Sequence, residues 1–515
     1  MLRADSLSDE DSTPHRLSHS SHRVILRSAA IVGGSQFIAI LLSVVRSKAM
    51  AMILGPSGFG IIGMFNSITM VFATVSGMGI RQSGVRQIAE AAGSGDERRL
   101  SRTIVTLRRV SILTGALGAI ALAILAFPLA RLSFGATTFG WGLAILSTTL
   151  LFGDVANGQA ALIQGLRRIG DLARLTVLGS LFGTLFGIPF VYLWGTAGIA
   201  PSLVATSMAG LVTSWWYARR IRVAPLRLTW SETWSEARPL ARLGFVFMVS
   251  AMTTAGAAYF LRVLVARTLG LEALGLYSAA ASLASMYVGS VLGAMGADFY
   301  PRLTAVAGDD DVCHRLVNEQ AEVGLLVAAP GIIATITFAP LVLRLFFSAD
   351  FAGAVPVLQW QALGTLLMVL SWPISYILLA RADVRAYFWA EQITSGVHVL
   401  LIWSAVATLG LVGTGVAYFA LYALHWCGVY VLVRRRHGFR WSRSNVALWI
   451  TLLPTALATL LAMTFMPPLW GTATGTILAA ATSAYCIRRL NRALGVSVLS
   501  LLIQRLRRIP GRTED

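Results

Sequence analysis

LGPSGFGIIGMFNSI occupies residues 54–68 and LGLEALGLYSAAASL occupies residues 269–283. Both fit LGxxx(F/L)G, with Gly55 answered by Gly270 and Gly60 by Gly275 at a constant offset of 215 residues. A Leu-Gly pair with a second glycine five residues on suits a tight connection between two helices and then a point of close helix approach. Glycine tolerates left-handed backbone and presents no side chain to keep a neighbour away. Each copy follows one long apolar stretch and opens another, and a weaker echo places Arg86 opposite Arg302. Such a repeat predicts six spans plus six in the same orientation, related by an axis along the membrane normal, a plan used for alternating access around a shared site.

The composition around this repeat fixes the solvent. Of 515 residues 56% are hydrophobic and 13% charged, with a mean hydropathy of +0.71, against about 45–50% apolar and about 25% charged in soluble domains. So few charges cannot cover the surfaces of several soluble domains. The expected fold class is all-α, a polytopic membrane protein. The net charge of +19, from 42 Lys and Arg against 23 Asp and Glu, would suggest a nucleic-acid partner in a soluble protein. Here most basic residues lie in the tails and in alternate connecting segments, such as RQSGVRQIAEAAGSGDERRLSR at 81–102 and RRRHGFRWSR at 434–443. The positive-inside rule accounts for that pattern, so no nucleic acid is expected. Lys48, the only lysine, follows VVRS, which lacks the glycines of a phosphate-binding loop and excludes an ATP-hydrolysing domain. Cys313, Cys427 and Cys486 are isolated from one another, so neither a metal motif nor a disulfide framework is expected, and no cofactor.

Fourteen apolar stretches of about 20 residues, each enough for a ~30 Å hydrocarbon core, run from about residue 24 to residue 486. An even number places both termini on one side, and the basic tail RRLNRAL at 488–494 assigns that side to the cytoplasm. The expected organisation is a disordered cytoplasmic tail (1–22), an N-lobe of spans one to six (23–217), a cytoplasmic linker (218–242), a C-lobe of spans seven to twelve (243–437), two extra C-terminal transmembrane helices (438–486) and a basic cytoplasmic tail (487–515). Outward connections such as LFFSADFAGAVP at 345–356 are short and leave no room for an external catalytic domain, which argues against an enzyme.

Several segments resemble one family in order and spacing. They are KAMAMILGPSGFG at 48–60, the NxxxxxxQGxR pattern from Asn157 to Arg167, Arg262 twelve residues before LGLY, YPRL at 300–303, LQWQALG at 358–364 and ISYILLARADVRAYFWAE at 374–391. Together they look like the O-antigen and enterobacterial-common-antigen translocases, in the polysaccharide-transporter branch of the multidrug/oligosaccharidyl-lipid/polysaccharide exporter superfamily. The resemblance runs from about residue 24 to residue 437, where the family pattern of twelve spans ends after an arginine cluster, so spans thirteen and fourteen are a departure. It implies a flippase that carries an undecaprenyl-pyrophosphate-linked glycan from the cytoplasmic to the outer leaflet of the bacterial inner membrane. Membrane lipids, a coupling proton or cation and a polysaccharide polymerase complex are the implied partners.

A pyrophosphate crossing a bundle needs fixed cations, and a cation at membrane depth costs about 2.5–3.5 kcal/mol on insertion scales. Arg262 lies far into the seventh span, and Arg46 and Lys48 occupy the matching part of the first repeat. These three, with Asn157, are the candidate substrate-binding residues. Guanidinium grips phosphate bidentately and ammonium acts as a point charge, although snorkelling to headgroups would also place cations near helix ends. Arg46 stands about 200° around a helix from Lys48. Asp154 and Glu391 are the candidate coupling carboxylates. Asp154 is expected to share a face with Asn157, Glu391 to lie close to Arg381 and Arg385 and form an ordinary ion pair there, and Asp298 to be interfacial. His398 reads as a packing residue.

Four other readings compete. A drug/cation antiporter or a peptidoglycan lipid flippase would share the superfamily plan, the second fitting fourteen spans. A major-facilitator transporter is opposed by the loop after span two, which lacks a GxLxDRxGR pattern. A polytopic glycosyltransferase or polymerase acting on lipid-linked sugars is opposed by the short external loops.

Overall fold

The computed structural model describes residues 14–221, 226 and 228–494. Among the described residues every regular element is helical and there is no strand. The principal helices are α1 (Pro14–Gly77), α2 (Ile80–Gly93), α3 (Glu97–Phe134), α4 (Gly140–Leu146), α5 (Thr148–Gly165), α6 (Ile169–Trp194), α7 (Ile199–Ala218), α8 (Trp230–Ala305), α9 (Asp310–Phe346), α10 (Val355–Ala380), α11 (Val384–His437), α12 (Arg443–Phe465) and α13 (Pro468–Leu494).

Glycines divide the longest of these. Backbone helicity breaks at Gly55 in α1 (φ 63°, ψ −171°), at Gly270 in α8 (φ 90°, ψ 174°) and at Gly410 in α11 (φ 58°, ψ −137°). Positive φ with ψ near 180° is a region that only glycine occupies readily, so the two repeat motifs carry the same backbone break at the same position. Six legs of crossing length therefore precede residue 221, six lie between Trp230 and His437, and α12 and α13 add two, with α4 and α5 counted as one crossing. By length and composition, nine stretches among the described residues could cross a membrane, and four of them contain a broken or paired helix long enough to count twice.

Two expectations about segments meet the structure here. Helix α1 begins at Pro14, so residues 14–22, expected as part of a disordered tail, are helical, and residues 1–13 lie outside the described residues. The expected linker 218–242 runs into α8 at Trp230, because Thr229 and Glu232 form a capping box. Glu232 Oε2 accepts from the Thr229 backbone N–H at 2.7 Å and from its hydroxyl at 2.9 Å, and Thr229 Oγ1 accepts from the Glu232 N–H at 3.3 Å. Those bonds, led by the backbone N–H of Thr229, hold the Glu232 carboxyl below its usual range.

The chain divides into two compact units. The first comprises Met1–Ser47, Phe72–Pro128 and Phe139–Val249. Within it α7 packs on α5 and α6, and the short α2 on α5, around a core that includes Ile88, Ile104, Leu107, Leu162 and Ile163. Arg109 ties α3 to the start of α8 by donating to Leu228 O and Thr233 Oγ1, both at 2.8 Å.

The second unit comprises Lys48–Val71, Leu129–Thr138 and Ser250–Asp515. Here α10 packs on α9 and α11, and α12 and α13 both pack on α9. That is where the two helices beyond the twelve-span pattern attach. Asn445 of α12, fully buried, donates to Asn318 O and Oδ1 at 2.9 Å, and Arg489 of α13 lies 3.6 Å from Glu322 of α9. The two repeat motifs meet inside this unit. A Cβ on Gly60 would stand 2.1 Å from Leu271 O, and one on Gly275 would stand 1.8 Å from Pro56 O. Each motif glycine thus faces the backbone of the other motif. Phe59 packs edge-on against Phe347 and Phe351, with ring centroids 5.2 and 5.8 Å away.

Candidate functional site

In the second unit the first leg of α8 carries Arg262, eight residues, or about 12 Å along a helix, before the break at Gly270. The side chain is half-buried. One N–H is used on Ala258 O at 3.0 Å, one turn back along the same helix, and Arg262 Nε is buried with no hydrogen-bond partner. The guanidinium carbon lies 5.9 Å from the ring of Tyr277, a residue of the second repeat motif, at the edge of cation–π range. Among the described residues no carboxylate pairs with Arg262. A guanidinium has five N–H donors, so most of this cation's binding capacity is uncommitted.

Lys48 is committed elsewhere. Its ammonium donates to Leu345 O at 2.8 Å, one of the last carbonyls of α9, which have no intrahelical partner. In this arrangement Lys48 caps a helix, a role that its sequence position did not disclose.

Arg46 belongs to the first unit. It is half-buried and donates to Thr206 Oγ1 of α7 over a long 3.4 Å. Its guanidinium also comes within 3.5 Å of where a Cβ on Gly183 would stand, so α6 leaves space for it by carrying glycine there. Thr206 and Gly183 have no motif in the sequence to mark them.

Asp154 on α5 is buried, at 6% exposure. Gly77 and Gly115 form part of its surroundings, with a Cβ on Gly115 falling 3.1 Å from Asp154 Cβ. Ser76 is its polar neighbour, yet neither the Ser76 hydroxyl nor Asp154 Oδ2 completes a hydrogen bond. Asn157 is exposed, so the polar face expected to join the two is split. The buried side of α5 continues through Gly158 and Ala161, because the fourth residue, closer in angle than the third, follows Asp154 into the core.

Glu391 on α11 is half-buried, and its electrostatic neighbours are the phenols of Tyr387 and Tyr422. The ion pair expected with Arg381 is not made. Arg381 bonds to Asp310 and approaches His437 Nδ1 at 3.4 Å, since the start of α9 brings a carboxylate closer. Arg385 and Glu391 form no ion pair either among the described residues. One turn from Glu391, Thr394 meets His425 Nδ1 at 2.8 Å, while His398 sits half-buried in the same helix. Outside the spans, Asp383 caps α11 and pairs with Arg436 at 2.8 Å. Partial desolvation opposes the effect, but the Arg436 guanidinium and the Ala386 N–H hold the Asp383 carboxyl below its usual range. The side chain of Asp298 lies outside the described residues.

Arg46 and Asp154 are thus in the first unit, and Lys48, Arg262 and Glu391 are in the second. Among the described residues no cluster of His, Cys, Asp and Glu suits a metal.

Comparison with known proteins adds four findings. The family described as "Polysaccharide biosynthesis protein" matches residues 49–356. The lipid III flippase of Escherichia coli (strain K12) is 23% identical over 424 residues, spanning 80% of this chain and 99% of that protein. A putative O-antigen transporter of Shigella flexneri is 22% identical over 379 residues, 71% of this chain and 87% of that one. Among solved structures, the lipid II flippase MurJ in an inward closed conformation superposes with a TM-score of 0.66 at 15% identity, covering 89% of this chain and 98% of its own. That likeness shows the fold.

Proposed function

Because this chain belongs to the polysaccharide biosynthesis protein family, we propose that it is a flippase for an undecaprenyl-pyrophosphate-linked oligosaccharide, the repeat unit of an O-antigen or exopolysaccharide. The glycan head crosses from the cytoplasmic to the outer leaflet of the inner membrane by alternating access, with both termini cytoplasmic, while the polyprenyl tail stays in lipid. The observation that carries this reading is Arg262, a half-buried guanidinium on a membrane-crossing leg whose Nε is buried and unpartnered. Such a cation is costly in a bilayer unless an anion comes to it.

In this reading Arg262, Arg46 and Lys48 are the cations that bind pyrophosphate, Lys48 once its bond to Leu345 O is released. Asn157 contacts sugar or phosphate. Asp154 and Glu391, carboxylates without an ion-pair partner among the described residues, take up the coupling proton or cation. A polysaccharide polymerase is the partner that would consume the delivered repeat unit. A peptidoglycan precursor lipid is the second reading, favoured by the fourteen legs and by the share of this chain that the MurJ fold covers.

The test is flipping in liposomes by purified protein, with an undecaprenyl-pyrophosphate oligosaccharide and a peptidoglycan precursor lipid offered separately. Arg262→Ala should abolish flipping of the cognate lipid without lowering membrane insertion, and Arg262→Lys should retain part of it. Full activity of an Arg262→Ala, Arg46→Ala double variant at matched protein level would assign both arginines to snorkelling.

A further inference from the structure

One cavity of the first unit is used by nothing described so far. Arg108 of α3, Ser111 one turn later, Gly158 and Gln159 of α5, and Trp215 and Arg219 at the end of α7 line a space of about 440 Å³. Ligand sites commonly occupy about 300–1,000 Å³. The polar side chains on its wall offer donors: two guanidiniums, a hydroxyl and an amide. Ser214 donates to Gln159 Oε1 at 2.7 Å, which takes up the acceptor of that amide and leaves its NH2 group to donate. No carboxylate lines the cavity among the described residues.

Two details show that these donors are held ready. Ser111 is 1% exposed and its hydroxyl has no hydrogen-bond partner, a state that costs free energy unless a ligand completes it. A Cβ on Gly158 would stand 2.4 Å from that hydroxyl, so only glycine leaves the space beside it open. Arg219 lies with its guanidinium carbon 3.6 Å from the ring centroid of Trp216 and 4.9 Å from that of Trp215. Stacking on aromatic faces fixes a guanidinium while leaving its N–H donors free.

The cavity mouth is also apolar. Ile112 and Trp215, both on the lining, are 51% and 50% exposed. Trp215 stands in the last turn of α7 and Ile112 one turn after Arg108 on α3, and the positive-inside rule assigns such arginines to the headgroup level. An anion bound among these donors would have room beside it for attached hydrocarbon, which fits a lipid phosphate better than a soluble ion. We propose that this cavity binds the phosphate group of an anionic lipid, at a site separate from Arg46 and Arg262. Phosphatidylglycerol and a polyprenyl phosphate both present that group. The proposal stands on the cavity alone and does not depend on the transport reading.

The test uses the delipidated full-length protein and native mass spectrometry, titrated in turn with dioleoylphosphatidylglycerol, undecaprenyl phosphate and dioleoylphosphatidylcholine. At least one of the two anionic lipids should saturate a single tight site, with the zwitterionic lipid at least tenfold weaker. Arg108→Gln and Arg219→Gln should each weaken that site at least tenfold. Arg86→Gln, a surface arginine paired with Glu90 on α2, should leave it unchanged. Ser111→Ala guards against misfolding of the arginine variants, since losing an unpartnered hydroxyl should leave lipid-free unfolding unharmed and still weaken binding several-fold. Tighter binding of phosphatidylglycerol identifies a resident phospholipid site, and tighter binding of undecaprenyl phosphate identifies a capture site for the polyprenyl carrier. Equal affinity of Arg108→Gln, Ser111→Ala and wild type for both anionic lipids, or equal weakening by Arg86→Gln, would overturn the proposal.

Discussion

Replacing Gly275 by alanine puts the reciprocal contact of the repeat motifs to a quantitative test. The new Cβ would lie 1.8 Å from Pro56 O and 2.6 Å from Pro56 C, with Gly60 N at 3.1 Å. All three are backbone atoms, so no rotamer change relieves the clash. Carbon–oxygen contacts settle near 3.3–3.6 Å, so the two legs must separate locally by roughly 1.5 Å. Overpacking of that size belongs at the upper end of about 1–3 kcal/mol. Alanine's helix propensity over glycine returns at most about 1 kcal/mol, leaving a net loss of about 2 kcal/mol. Gly60→Ala meets Leu271 O at 2.1 Å and should cost about the same. Because one separation relieves both clashes, the double variant should fall short of additivity by at least about 1 kcal/mol. The assay is SDS-titrated unfolding of the purified protein, with Gly256→Ala as control, since nothing lies within 4 Å of a Cβ there. If Gly275→Ala unfolds like Gly256→Ala, or if the double variant equals the sum of the singles, the packing argument is wrong.

Two further expectations concern single carboxylates. Asp154→Asn should keep the shape of its pocket beside Gly115 while removing a group able to take up a proton, so flipping in liposomes should slow and lose its dependence on pH. An unchanged rate and pH profile would remove Asp154 from coupling. Glu232 has a folded pKa below its unfolded value because Thr229 donates to it. Its stabilising share is therefore present above the unfolded pKa, about 4.3, and is lost as pH falls through the folded one. The protection factors of the amides at 230–233, which allow for the slower intrinsic exchange in acid, should fall for wild type as pH falls, whereas those of Glu232→Gln should respond less to pH, and equal responses would refute the capping role.

How much of this was legible in the sequence depends on whether the cause is local. The helix breaks at Gly55 and Gly270 were, because positive φ is a property of the residue and both copies of the motif carry it. The capping box at Thr229 was equally local, as T-x-x-E, but it lay inside a segment expected to be a linker. Lys48 was not legible as a helix cap, since its partner Leu345 is 297 residues away and a backbone carbonyl leaves no mark in a sequence. Glu391 misled for the same reason. Arg381 and Arg385 are its neighbours along the chain, yet Asp310, 71 residues from Arg381, takes the Arg381 guanidinium. Spacing on α5 suggested one polar face for Asp154 and Asn157, but packing against Gly115 and Gly77 drew the first inward and left the second exposed. The cavity between α3, α5 and α7 needed three separate segments to be brought together.

The packing of residues 48–71 with the C-terminal half has a consequence for biogenesis. Pro56 leaves the ribosome 219 residues before Gly275, which it faces, and Gly60 leaves 211 residues before Leu271, which it faces. At about 5–20 residues per second, that interval is roughly 10–40 s. During it the first motif sits in the bilayer with its bare glycine backbone open to any other small-residue helix, including the same segment of a nascent neighbour. Crowded insertion should therefore favour wrong pairing between chains at this point, and overexpression should raise the yield of dimers joined through the first motif.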